Sequence, residues 1–288
     1  MRMVKSITLI SAIILLESIG GCKSDPSSPI EPNQITSVEQ LGKAIFMDTN
    51  LSTPSGQSCA TCHSPEAGFT DSDKSFPVSK GAIKGRFGNR NAPSVAYAAF
   101  SPAPYHDPVQ RPGMMMGGLD IGGQFWDGRA ASLEEQAKGP LLNPLEMNNA
   151  DKNEVISKIR NASYASAFEK IFGAGSLAAD KVDAAFNHVA EAIAAYERSS
   201  EVSPFTSKFD LSLQGKVTLT EQESKGFAVF TGKANCVKCH SIAPVSPSDP
   251  VQQKYLFTNY AYQNTGIPKN PGNPYYTLPS SLNPDGSN

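Results

Sequence analysis

The chain has 288 residues and a formal charge of −2, which leaves no basic footprint of the kind nucleic-acid binding needs. Hydrophobic residues make up 39%, and 23 glycines with 22 prolines predict a loop-rich chain, long enough for one large domain or two smaller ones.

Arg2 and Lys5 open a short basic leader, and the apolar run 7–16 that follows is too short to span a bilayer. Ile19-Gly20-Gly21-Cys22 resembles a bacterial lipoprotein cleavage box. Residues 1–21 are therefore read as a signal peptide, Cys22 as the lipidated first residue and 22–36 as a polar tether. An ordinary signal peptide with a free cysteine is the alternative. Both readings put the mature chain outside the cytoplasm, in the periplasm, and the first reaches a membrane only through a lipid anchor.

Apolar residues at helical spacing predict a helix over 37–46, and Cys59-Ala60-Thr61-Cys62-His63 follows it. The stretch 64–112 is rich in Gly, Pro, Asn and Ser and reads as a long loop. Helices are predicted over 153–159, 163–172 and, most strongly, 180–199, where Val182, Ala185, Phe186, Val189, Ile193 and Tyr196 share a face. His188 lies within that last helix and reads as a packed or surface residue rather than a ligand. A further helix over 219–230 runs into Cys236-Val237-Lys238-Cys239-His240, and 242–288 again reads as loops. Strand signals are scarce.

In each Cys-x-x-Cys-His copy two thiols can form thioethers to the vinyl groups of a c-type haem, while the adjacent histidine ligates the iron. Cys59, Cys62 and His63 form one such set, and Cys236, Cys239 and His240 the other. Leu41-Gly42-Lys43-Ala44-Ile45-Phe46 and Lys225-Gly226-Phe227-Ala228-Val229-Phe230 make a weak internal repeat ahead of them. A helix running into a haem-binding loop starts a class I cytochrome c domain. The expected fold is mainly α, with two class I cytochrome c-like domains over 37–200 and 201–288, each carrying a covalent haem, and long loops. A zinc site would need the two Cys-x-x-Cys pairs far closer in sequence and would leave the adjacent histidines unexplained. Thioredoxin-like chemistry lacks the surrounding βαβ pattern.

Three longer stretches carry a resemblance: Arg90-Asn91-Ala92-Pro93-Ser94-Val95; Gly123-Gln124-Phe125-Trp126-Asp127-Gly128-Arg129-Ala130; and the run from Ser132 through Gln136 and Pro140 to Asn143-Pro144-Leu145-Glu146-Met147. From about Leu41 to Gly266 the chain resembles the bacterial di-haem cytochrome c peroxidase family, whose scaffold the methylamine-utilisation enzymes share. The resemblance implies a peroxide-reactive haem on His63 and an electron-accepting haem on His240, supplied by a small cytochrome c or a cupredoxin. It implies that Trp126, the only tryptophan, helps electrons pass between the haems. It places Gln136 and Glu146 over the peroxidatic haem and Asn91 on a calcium ion. Family members are often homodimers; the chain shows no independent dimer signal. Splitting the O–O bond needs a group that takes a proton from one oxygen and returns it to the other, and a carboxylate in a partly apolar pocket can do so.

The chain departs from the family pattern twice. Typical members carry a second histidine that caps the peroxidatic iron, yet none occurs here between His63 and His106. His106 falls in an insertion over 101–121, beside Tyr105 and Asp107; it could cap the iron, but it reads more readily as solvent-exposed. The expectation is a peroxidatic haem open without reductive activation. The sequence also stops at Asn288, before the segment that in the family holds the remaining calcium ligands and the distal methionine or tyrosine of the second haem. It is therefore read as truncated, and the run Met114-Met115-Met116 is a poor substitute for that ligand. The leading function is reduction of hydrogen peroxide to water. The alternatives are oxidation of residues on a partner protein and a plain di-haem electron carrier, which would have two six-coordinate haems and no reaction with peroxide.

Overall fold

The computed structural model describes residues 30–109, 118–244 and 254–283. The leader with Cys22, the Met114-Met115-Met116 run and the last five residues lie outside them. Helices dominate, and the strands are short. In chain order the helices are α1 (Val38–Met47), α2 (Cys59–Cys62), α3 (Leu133–Leu142), α4 (Lys152–Asn161), α5 (Ala165–Phe172), α6 (Val182–Glu197), α7 (Lys208–Leu213) and α8 (Glu221–Thr231). None among the described residues is long and apolar enough to cross a membrane.

The predicted helices over 37–46, 153–159, 163–172, 180–199 and 219–230 appear as α1, α4, α5, α6 and α8. Side-chain caps fix where several begin: Ser37 accepts from the Gln40 amide, Asp151 from Glu154 and Thr220 from Glu223. The core forms where α1, α4 and α6 turn their apolar faces together. Leu41, Ile45 and Phe46 meet Val155, Ile156 and Ile159 and, from α6, Phe186, Val189 and Ile193, all buried. At Gly42 two backbones nearly touch, since a Cβ there would sit 1.8 Å from the Ala192 carbonyl oxygen. His188 stacks on Phe172 at 4.2 Å and faces Glu191, a packed residue as its helical setting suggested.

Within 101–121, β1 (Tyr105–Asp107) pairs antiparallel with β2 (Leu119–Ile121). His106 stands opposite Asp120 in that ladder, and its Nδ1 lies 2.9 Å from the Asp120 carboxylate. Beyond β2 the chain pairs with the C-terminal part: the Gly122 amide donates to the Tyr260 carbonyl and the Tyr262 amide to that of Asp120, each at 2.9 Å. A second ladder, β3 (Ile242–Pro244) with β4 (Tyr255–Phe257), follows the second Cys-x-x-Cys-His motif.

Helix α8 differs from the others. It carries Phe227, Val229 and Phe230, yet none of its residues is buried. Phe230 and Phe257 lie edge to face at 5.6 Å, with Phe209 against Phe257 at 5.1 Å. This aromatic surface stands beside His240, whose ring centroid is 6.3 Å from that of Phe230.

Candidate functional site

Between the α1–α6 core and the loops over 57–95 and 124–147 opens a cavity of about 1190 Å³, part of it continuous with solvent. Cys59, Cys62 and His63 form one part of its wall; Trp126, Gln136 and Glu146 form others. The sequence placed these residues in separate stretches, and the fold brings them around one space.

The first motif is a single helical turn. The Ser58 amide donates to the Thr61 hydroxyl at 2.9 Å and Thr61 donates back to the Ser58 carbonyl, which sets Cys59 and Cys62 on the start and end of the turn. Both thiols are free. Burial pushes each up to about 12, with Glu197 the next cause at Cys59 and Asp71 at Cys62, so both are held as neutral thiols. The His63 Nδ1 lies 3.3 Å from the Phe69 carbonyl oxygen, an arrangement that protonates Nδ1 and leaves Nε2 with its lone pair. Burial lowers the His63 pKa, which keeps the ring neutral, the form that ligates metals. The residues therefore fit a c-type haem: two unpaired thiols, an oriented neutral imidazole and an apolar space beside them.

The second motif repeats the histidine geometry, with Nδ1 of His240 3.0 Å from the Phe257 carbonyl oxygen. Cys236 and Cys239 are also free thiols. Here the fit is carried by the uncovered aromatic face of α8 described above, a surface of the kind a flat apolar macrocycle covers.

Glu146 is held from several sides. The Asn143 side-chain amide donates to its Oε1 at 2.6 Å. Its own carbonyl accepts from the Ala82 amide at 2.8 Å, and that loop can approach only because Gly81 has no side chain, since a Cβ there would lie 2.3 Å from the Leu145 carbonyl oxygen. Burial raises the Glu146 pKa, against opposing effects of the Asn143 hydrogen bond and the Arg129 charge. Arg129 itself stacks on Phe125 at 3.6 Å and pairs with Asp127 at 2.7 Å. Gln136 and Pro140 reach the same wall from α3, a helix that Ser132 caps at 3.3 Å through the Glu135 amide.

Trp126 is not core packing: it is 48% exposed, with the Arg90 guanidinium 4.3 Å above its ring. Asn91 lies in the cavity lining. His106 does not, and His63 is the only histidine of that lining among the described residues. Gln57 and Glu197 are wall residues that the sequence reading passed over. Gln57 is buried between the Lys80 carbonyl, to which it donates at 2.7 Å, and Cys62.

Free thiols and a neutral, oriented imidazole on one apolar cavity define a protein of the c-type haem class. Residues 36–218 match the family described as di-haem cytochrome c peroxidase. The methylamine utilization protein MauG of Paracoccus denitrificans is 40% identical over 234 residues, 80% of this chain and 57% of that protein. Cytochrome c551 peroxidase of Nitrosomonas europaea is 32% identical over 246 residues, 83% of this chain and 63% of that protein. Among solved structures, the diheme peroxidase BthA from Burkholderia thailandensis superposes with a TM-score of 0.69 at 32% identity, over 85% of this chain and 59% of that one. The chain belongs to the di-haem cytochrome c peroxidase family, a membership that implies two c-type haems. It spans 57% and 63% of the lengths of the two relatives named. The family match ends at 218, ahead of Cys236.

Proposed function

We propose that the protein reduces hydrogen peroxide to two molecules of water, using two protons and two electrons from a small periplasmic redox protein, a cytochrome c or a cupredoxin. The observation that carries this reading is Glu146, a carboxyl of raised pKa on the wall of the cavity that also presents Cys59, Cys62 and His63. Bound there, haem supplies an iron that binds peroxide and exchanges electrons with it. Cys59 and Cys62 would hold the macrocycle through thioethers, and His63 would ligate its iron. Glu146, as a carboxylate, would take a proton from one peroxide oxygen and return it to the other, so that the second could leave as water. Asn143 keeps the carboxylate pointed for both transfers. Gln136 orients the peroxide by hydrogen bonding, and Trp126, clamped by Arg90, lies on the electron path from the haem on His240.

The same reading divides the chain into a peroxidatic cytochrome c-like domain over 37–200 and an electron-transfer domain from 201, with export and a lipid anchor through Cys22. Calcium beside Asn91 belongs to it also. A peroxidatic iron without a histidine cap agrees with the lining, where His63 has no histidine opposite it among the described residues. The 40% identity with MauG supports a second reading, in which the same site oxidises residues of a partner protein. Steady-state oxidation of a reduced small cytochrome by peroxide separates the two. Rapid donor oxidation that Glu146→Gln abolishes supports the peroxidase; a loaded protein that reacts with peroxide but leaves the donor reduced favours the partner oxidase.

A further inference from the structure

Glu197 ends α6 and is 2% exposed. Its side chain belongs to the lining of the haem cavity, with Cys59, Leu133 and Gln136, and its Oε2 is fully buried without a hydrogen-bond partner. A buried carboxyl in that condition costs free energy, and native folds normally supply it a donor or keep it protonated. The nearby donors are committed elsewhere. Arg198 binds both oxygens of Glu134 at 2.6 and 3.1 Å, while Lys43 binds Glu201, which also accepts from the Tyr196 hydroxyl. What remains for Glu197 is the cavity itself.

The charged and titratable groups bearing on this carboxyl are Arg198 and Tyr196 beside it, Glu134 on α3 and Cys59 at the head of α2, with Glu146 and His63 on the same cavity lining. Burial pushes Glu197 up to about 8; Arg198 opposes this and Glu134 adds to it. An acid so placed is sensitive to any charge that enters the cavity.

Building on the haem reading above, we propose that Glu197 is the redox-linked proton site of this cavity: its carboxylate binds one proton from solvent when the iron gains one electron, and releases it when the electron leaves. No bond within the haem forms or breaks. The electron comes from the redox donor, the proton from water at the open side of the cavity, and the added negative charge is neutralised at Oε2. By linkage, proton and electron affinity must then rise together.

The test uses the holoprotein with both haems, after covalent haem at Cys59 and Cys62 has been counted. The reduction potential of the His63 haem is titrated optically from about pH 6 to about pH 9, the range around the Glu197 pKa. Wild type is expected to take up close to one proton per electron only in the upper part of this range, above a pH of about 8, where the oxidised protein holds Glu197 as the carboxylate, and Glu197→Gln no more than a third of that. Glu146→Gln is expected to keep the wild-type dependence, whereas Glu134→Gln, which removes a charge that raises Glu197 and frees Arg198, is expected to move it to lower pH. A dependence that survives Glu197→Gln, or that Glu146→Gln removes, overturns the assignment. Redox-difference infrared spectra of the wild type read the same event directly, as a protonated carboxyl band that grows on reduction. Its absence also overturns the assignment. Should Glu197→Gln fail to mature, Glu197→Asp must shift that band, and an unshifted band assigns the proton elsewhere. A chain with no covalent haem at Cys59 and Cys62 overturns both this inference and the haem reading, whereas a loaded cavity with a pH-independent potential overturns this inference alone.

Discussion

The side-chain amide of Asn143 donates to Glu146 Oε1 at 2.6 Å, three residues away along a turn that ends α3. That bond favours the carboxylate, while burial favours the acid, so the pH at which Glu146 becomes a base is set by their balance. Removing it in Asn143→Ala leaves burial less opposed and raises the pKa further. The acidic limb of kcat/KM for peroxide, which rises with pH as Glu146 deprotonates, is expected to move up by roughly one pH unit, the size of one lost charge-assisted hydrogen bond. An unmoved limb would show that another group governs it.

Glu146→Gln keeps the shape of the side chain and removes the exchangeable proton. Peroxide turnover is expected to fall on the order of 10²- to 10⁴-fold, the usual weight of one positioned acid–base group. Covalent haem content and the optical spectrum of the resting protein should be retained. Loss of haem along with activity would mean that Glu146 has a structural part instead.

Burial of Glu197 has a sign in stability as well as in redox chemistry. Its folded pKa of about 8 stands above the ordinary 4.5, so between those values the unfolded chain is ionised while the folded chain keeps its proton. Unfolding then releases a proton, and stability falls as pH rises through this window by at most about 1.4 kcal/mol per unit. Urea unfolding from pH 5 to about pH 8 is expected to show this decline in wild type and a shallower one in Glu197→Gln. Equal slopes would contradict the placement of that carboxyl.

Gly42 tests the packing that supports the cavity. A methyl there would lie 1.8 Å from the Ala192 carbonyl oxygen, which is backbone and cannot rotate aside. Gly42→Ala is expected to destabilise the protein by about 1–3 kcal/mol or more, despite the better helix propensity of alanine. Thermal unfolding measures it, and a neutral or stabilising result would show that α1 and α6 separate easily.

Much of this arrangement was legible from local signals. Cys59, Cys62 and His63 are contiguous, and the periodic face of α6 from Ala185 to Tyr196 declares itself as core. The family resemblance added Gln136, Glu146 and Trp126, which no spacing rule would have gathered. Helix α3 gave a weak signal because Gly139 and Pro140 interrupt its pattern near the end. Its cap at Ser132 was nonetheless written in the sequence. The β1–β2 ladder is too short for alternation to show, and it is held by Ile121 and Asp120 pairing with residues 260–262, far along the chain. Glu197 was hidden for a similar reason. Beside Arg198 it reads as half of a surface ion pair, but Arg198 is taken by Glu134, 64 positions away. Only the fold reveals that the acid is left alone.

The proposal requires the cavity beside α2 to hold a covalent haem on His63 and the chain to carry a second haem on His240. Pyridine haemochrome on protein matured in a host that attaches c-type haem measures it most directly. Two haems per chain are predicted, falling to one when Cys59 and Cys62 are both changed to serine and to one when Cys236 and Cys239 are. A chain that carries no covalent haem, or whose haem content ignores the Cys59 and Cys62 changes, would rule out a haem in that cavity.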